Sequence, residues 1–146
     1  RLLSRGLGDV YKRQDITRTF ATGKNIDSRL LDAYESVRLA NIAAREKSED
    51  GVTAGEVDLA ARSIIDQRGF GEYFIHRTGH GLGLEIHEEP NIKQNDDFVL
   101  KNGNLFTVEP GIYIPKLGGI RIEDDVLIES GKSRSLTTLS RDLVYL

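Results

Sequence analysis

The sequence predicts an α+β fold in which two helices are followed by a curved antiparallel sheet. Three observations carry this. Apolar residues recur at helical spacing over 30–46, they do so again over 53–69, and after Gly71 they fall in short β-type runs broken by glycine and asparagine. In the first helix Leu31, Tyr34, Val37 or Arg38, Asn41 or Ile42, and Arg45 trace the 3.6-residue period, and Leu30, Leu39, Ala40 and Ala43 widen the apolar face. Asp27 or Ser28 stands where an N-cap is needed. The second helix opens on Thr53 and Glu56, spaced for a capping box in which each side chain accepts from the other's free backbone N–H. Val57, Ala60, Ala61, Ile64 and Ile65 keep helical spacing, and Gly69 is placed to end the helix in a left-handed conformation.

Strands are expected at 16–21, ahead of the helices, and then at 73–75, 84–86, 98–100, 105–108, 111–114, 119–122 and 126–128. Gly23 with Asn25, Asn102-Gly103 and Gly118-Gly119 mark turns. Residues 1–14 carry four Arg or Lys and no sustained period, so they are set apart as an atypical segment, and the domain is placed at 15–146.

Composition narrows the function classes. At 146 residues the chain can bury one core, and 29 % charged residues fit a soluble globular domain. A net charge of −3 offers no basic footprint for nucleic acid and no attraction to an anionic membrane. No apolar run approaches the roughly 20 residues a membrane helix needs. With no cysteine there is no disulfide and no thiolate metal site, which allows a reducing compartment, and the cytoplasm is the expected location. Methionine is absent even at position 1, so the sequence is expected to be a fragment or a processed product. Residues 1–14 lack the apolar stretch of a secretory signal.

The chemistry concentrates in four blocks. All three histidines fall in one window, His76-Arg-Thr-Gly-His80-Gly-Leu-Gly-Leu-Glu-Ile-His87. Glu109 follows the apolar run 105–108, Glu123 lies among Ile120, Ile122 and Val126, and Asp15 heads the segment 16–20. A lone histidine is usually a solvated or satisfied residue, but three in one window and none elsewhere reverse that weighing. A carboxylate in an apolar strand is costly to bury unless paired or bound to a cation. Glu123 alone fits a solvent-facing strand position equally well, and alternation would put Ile120, Ile122 and Asp124 on one face with Arg121 and Glu123 on the other. Asp124 and Asp125 are expected at solvent or in turn hydrogen bonds. Asp15 in isolation is a turn or edge residue, and Arg18 is either a surface charge or a buried partner to a carboxylate. Together, one histidine and several carboxylates make an oxygen-rich site suited to Mn²⁺, Co²⁺ or Zn²⁺. Carboxylates bridging two such ions form the clamp of two-metal hydrolysis, in which a bridging water becomes a hydroxide nucleophile. His76 and His87, if not ligands, are placed to stabilise charge on a substrate carbonyl.

In order, DITRTF, GHGLGLEIHEEP, TVEPGIY and GGIRIEDD resemble the pita-bread metallopeptidases, above all the Xaa-Pro aminopeptidase and Xaa-Pro dipeptidase (prolidase) branch, over about residues 15 to 146. The resemblance implies the C-terminal half of a pita-bread domain, two divalent metal ions (Mn²⁺ first, Co²⁺ or Zn²⁺ otherwise) and cleavage of the N-terminal Xaa-Pro bond of a peptide substrate by metal-bound hydroxide. It implies that Asp15, His80, Glu109 and Glu123 are metal ligands, that His87 contacts the scissile peptide, that His76 belongs to the substrate pocket and that Arg121 supports the site. It also implies a longer parent protein, with a first α/β half and an N-terminal domain, and a homodimeric parent. The family places a further metal-binding aspartate eleven residues before the one matched by Asp15, and Ser4 stands there, so the chain as written is expected to be impaired. Methionine aminopeptidase-like and creatinase-like hydrolases share the scaffold. A non-catalytic pita-bread module that binds peptides or proteins is the reading from another class, and a cupin-like barrel is disfavoured by the two helices.

Overall fold

In the computed structural model, residues 15–23, 25–85 and 87–146 are described. The expectations for residues 1–14, Ser4 among them, lie outside the described residues. Helix α1 spans Ser28–Lys47, capped by Asp27, whose Oδ1 accepts from the Arg29 N–H at 2.8 Å. Its buried stripe is Ala33, Tyr34, Val37, Ala40, Asn41 and Ala44. The expected stripe is therefore corrected: Leu31 is exposed, and three alanines let the helix approach the sheet closely. Helix α2 spans Ala54–Gln67 and starts with both halves of the capping box, Glu56 N–H to Thr53 Oγ1 at 3.2 Å and Thr53 N–H to Glu56 Oε2 at 2.9 Å. Gly69 at φ +80° ends it, with Gly69 N–H donating to the Asp66 carbonyl and Phe70 N–H to the Ile65 carbonyl, the two bonds of a Schellman motif. Thr53→Ala is expected to destabilise the domain by about 1 kcal/mol in urea denaturation, because it removes the cap.

Among the described residues there are nine strands: β1 Phe20–Ala21, β2 Gly79–Gly81, β3 Glu88–Ile92, β4 Leu105–Val108, β5 Gly111–Ile114, β6 Gly118–Arg121, β7 Asp124–Glu129, β8 Lys132–Ser135 and β9 Val144–Tyr145. The central sheet is antiparallel in the order β3-β2-β4-β7-β8. β5 and β6 form a separate hairpin, and β1 pairs with β9 in parallel. Both helices pack on this framework, sharing one core with Ile92, Leu100, Phe106, Val108, Ile112, Ile122, Val126 and Ile128.

Several expected strands are corrected. The strand expected at 16–21 survives only as Phe20–Ala21. Upstream, Thr17 makes an isolated bridge to Glu123, and the Thr19 hydroxyl replaces ladder bonds by accepting from Arg121 N–H and donating to the Arg121 carbonyl. Residues 71–73 form a 3₁₀ turn, Leu84 and Glu85 lie in a bend, and of 98–100 only Val99 bridges, to Thr53. Ile86 lies outside the described residues. The hairpin between β5 and β6 turns at Lys116, with φ +63° and Leu117 N–H donating to the Ile114 carbonyl, two residues before the Gly118-Gly119 pair, which opens β6.

Candidate metal centre

His80 sits in the middle of β2, flanked by glycines because backbone passes close on either side. A Cβ at Gly79 would run into the Thr107 carbonyl, and one at Gly81 into that of Glu89. A β-bulge between His80 and Gly81 re-aims the strand beside the imidazole. The Nδ1 atom lies 3.1 Å from the Gly81 carbonyl and donates to it, so the Nε2 lone pair faces the cleft. That atom is 3.3 Å from Glu109 Oε1 and 3.6 Å from Asp15 Oδ2. Ligand atoms of Asp15, His80 and Glu123 all lie within 4.8 Å of one another.

Each carboxylate is held by its own neighbours. The Glu109 N–H donates to the Thr78 carbonyl at 2.7 Å, and its Oε1 accepts from Thr107 Oγ1 at 3.0 Å. The Thr107 hydroxyl in turn accepts from the His80 N–H at 3.0 Å, so one threonine orients two members of the cluster. Glu123 accepts from the Thr17 hydroxyl, and its N–H donates to the Thr17 carbonyl at 3.1 Å. The Asp15 N–H donates to Asp125 Oδ1 at 3.2 Å. Thr17 and Thr107 were not singled out from sequence, although Thr107 lies on β4 only two residues before Glu109.

The cleft, about 270 Å³, is lined by Asp15, Thr17, His76, Arg77, His80, His87, Glu109, Arg121 and Glu123. All seven expected site residues therefore converge. Asp15 is half-buried, whereas His80, Glu109 and Glu123 are buried. His87 is exposed, its ring edge-on to that of His80 with centroids 4.3 Å apart. His76 is wedged edge-on between Phe74 and Tyr113, with Nδ1 2.7 Å from the Arg77 carbonyl. Burial, aided by the Arg121 charge, pushes its imidazolium below the usual histidine range. Arg121 reaches Glu109 Oε2 at 3.3 Å, and its buried Nε has no partner among the described residues.

Asp124 and Asp125 correct the expectation of solvent or turn positions, because both are buried. Asp124 accepts from Arg18, Asn41, Thr137 and Arg141, so Arg18 is the buried partner of a carboxylate rather than a surface charge. The expected division of faces does hold: Ile120 and Ile122 enter the core, while Arg121 and Glu123 line the cleft.

The electrostatics call for a cation. Burial, then the nearby Glu109 and Asp15 carboxylates, push Glu123 up to about 8, against the Thr17 hydrogen bond and Arg121. Burial likewise lifts Asp125 to about 6. Three carboxylates and an imidazole lone pair converge, and of the two arginines lining the cleft Arg121 reaches Glu109. Ligand atoms about 2.1 Å from a tetrahedral ion lie about 3.4 Å apart, which is the spacing His80 keeps with Glu109 and Asp15. The donor set, all nitrogen and oxygen, suits a divalent ion.

The comparisons with known proteins agree with this geometry. The model of metallopeptidase family M24 matches residues 10–130. The chain is 50 % identical over 140 residues to an Xaa-Pro dipeptidase of Pyrococcus furiosus, covering 94 % of this chain and 40 % of that protein. It is 48 % identical over 132 residues to a putative dipeptidase of Bacillus subtilis, covering 90 % of this chain and 36 % of that one. The crystal structure of a Pyrococcus horikoshii dipeptidase superposes with a TM-score of 0.88 at 52 % identity, covering 90 % of this chain and 37 % of that chain. The chain thus spans 36 % and 40 % of the length of these two curated relatives. Two helices with a curved antiparallel sheet are the C-terminal half of the pita-bread architecture of these prolidases. Among the described residues, no helix is long and apolar enough to cross a membrane. With the family model matched over most of its length, and with its cleft built from the four blocks of the resemblance, the chain belongs to metallopeptidase family M24.

Proposed function

We propose that Asp15, His80, Glu109 and Glu123 hold divalent metal, Mn²⁺ first and Co²⁺ or Zn²⁺ otherwise, in a peptidase that hydrolyses the N-terminal Xaa-Pro bond. The observation that carries this reading is the convergence of Asp15, His80 and Glu123 ligand atoms within 4.8 Å, with Glu109 Oε1 3.3 Å from the same His80 nitrogen. Relatives named Xaa-Pro dipeptidase support the substrate class. When bound, the ions supply Lewis acidity toward the peptide carbonyl and a water acidic enough to ionise near neutral pH.

The chain's own residues do the rest. Glu123, buried and held by the Thr17 hydroxyl, is kept facing Asp15 and His80 as a carboxylate that would hold the ion. His87, exposed beside His80, is free to meet the scissile carbonyl and stabilise charge on its oxygen. His76, kept neutral by burial, lines the substrate pocket, and Arg121 steadies Glu109. Ser4, at the position of the expected further aspartate, leaves the second ion short of a ligand, so the 146-residue chain is proposed to be impaired. A homodimeric, cytoplasmic parent remains part of the proposal.

The test joins residues 15–146 to the preceding segment of a prolidase relative and follows Ala-Pro against Ala-Ala hydrolysis with Mn²⁺. Preferential cleavage of Ala-Pro is expected. Equal rates, or metal uptake with no hydrolysis, would contradict the substrate assignment.

A further inference from the structure

Asp15 is carried by a segment with little regular structure, since Thr17 makes only a single bridge to Glu123. Beside the Asp125 carboxylate, what fixes it is a set of residues outside the lining of the cleft. Arg18 has five N–H donors, and all five have acceptors. Its Nε donates to the Ser140 carbonyl at 2.9 Å, Nη1 to the carbonyls of Thr17 at 2.8 Å and Glu123 at 2.6 Å, and Nη2 to Asp124 Oδ1 at 2.6 Å and the Leu139 carbonyl at 2.9 Å. One guanidinium thereby ties the segment bearing Asp15, the backbone of Glu123 and the loop after β8.

Asp124 is the other pole. It is fully buried and takes the fork of Arg141, with Nε to Oδ2 at 2.7 Å and Nη2 to Oδ1 at 2.9 Å, together with Thr137 Oγ1 and Asn41 Nδ2. Its chain neighbours are Glu123, in the cleft, and Asp125, which accepts the Asp15 N–H. Thr137 and Arg141 themselves line no part of the cleft.

We propose that the Arg18–Asp124–Arg141 junction is a positioning device that sets the separation of Asp15 and Glu123, so that Thr137 and Arg141, outside the site, govern its metal affinity. The proposal rests on the metal-site reading above. Orienting partners of this kind change metal affinity by about 10–100-fold when altered.

The experiment is isothermal titration of the 146-residue chain with Co²⁺, together with the visible absorption of the bound ion. Arg141→Lys keeps the charge and loses the fork, and is expected to bind Co²⁺ about tenfold more weakly with shifted bands. Thr137→Val removes one hydroxyl from Asp124 at nearly constant volume and should weaken binding in the same direction, by less. It decides the matter alone if Arg141→Lys does not fold. Val57→Ala, a core cavity in α2 remote from the junction, should lower the melting temperature and leave Co²⁺ affinity unchanged. Arg141→Lys and Thr137→Val that bind like the unaltered chain overturn the proposal, as does a Val57→Ala effect of equal size. An unaltered chain that takes up no Co²⁺ overturns the metal-site reading and the junction proposal with it.

Discussion

Replacing Glu123 by glutamine is expected to lower affinity for a divalent ion by about 100-fold or more, while leaving the metal-free chain at least as stable at about pH 8. The two effects have one cause. Burial, with Glu109 and Asp15 nearby, lifts Glu123 from 4.5 to about 8, so the metal-free folded chain keeps a proton that the unfolded chain releases. Between 4.5 and about 8 the folded state therefore holds more protons, and stability falls as pH rises through that window and levels off above it. Asp125, lifted from 3.8 to about 6, adds a slope of the same sign at lower pH. Asp124 acts in the opposite sense. Despite its burial, hydrogen bonds from Arg141, Thr137 and Arg18 hold it below 3.8, and its contribution is lost as pH falls through that lowered value. Glutamine resembles the protonated carboxyl, so Glu123→Gln should remove the upper slope, whereas a bound ion reverses its sign by favouring the carboxylate. Calorimetric melting temperatures from about pH 5 to about pH 9, with and without metal, check this. A metal-free melting temperature that rises across this range in the unaltered chain would contradict it.

Asp58→Ala is expected to cost about 3–5 kcal/mol of stability, because it leaves a mostly buried arginine without its carboxylate. Asp58 is fully buried in α2 and pairs with Arg62 at 2.9 Å. It also accepts from the Thr78 hydroxyl at 2.7 Å and from the Thr78 N–H at 3.2 Å, and so anchors the residue two positions before His80. Arg62 reaches on to the carbonyls of Phe74 and His76. Urea denaturation of Asp58→Ala, Arg62→Met and the double variant measures the coupling. A double variant no more stable than the sum of the two single losses would show that the pair is not a unit.

What the sequence disclosed followed the strength of its local signals. Thr53, Glu56 and Gly69 define α2 because capping and left-handed backbone are local chemistry, and 105–108 and 111–114 are apolar runs whose bounds match β4 and β5. β2 was hidden because Gly79 and Gly81 are poor strand formers. They stand there because the Thr107 and Glu89 backbones approach too closely for any side chain. β3, with Glu88, Glu89 and Pro90, and β8, with Lys132 and Arg134, are the edges of the sheet, where proline and charge are tolerated and the apolar pattern is lost. The cluster itself was legible as four separate blocks. Asp124 was not, because the middle acid in the run Glu123-Asp-Asp looks solvated until the arginines from positions 18 and 141 are brought to it by the fold.

The most direct test of the metal centre is an anomalous difference map from crystals of this chain grown with Zn²⁺. A peak is predicted about 2.0–2.2 Å from His80 Nε2 and from carboxylate oxygens of Glu109 and Glu123, with Asp15 at its edge. A cleft without a peak, or zinc held elsewhere with these four side chains unmoved, would contradict the account.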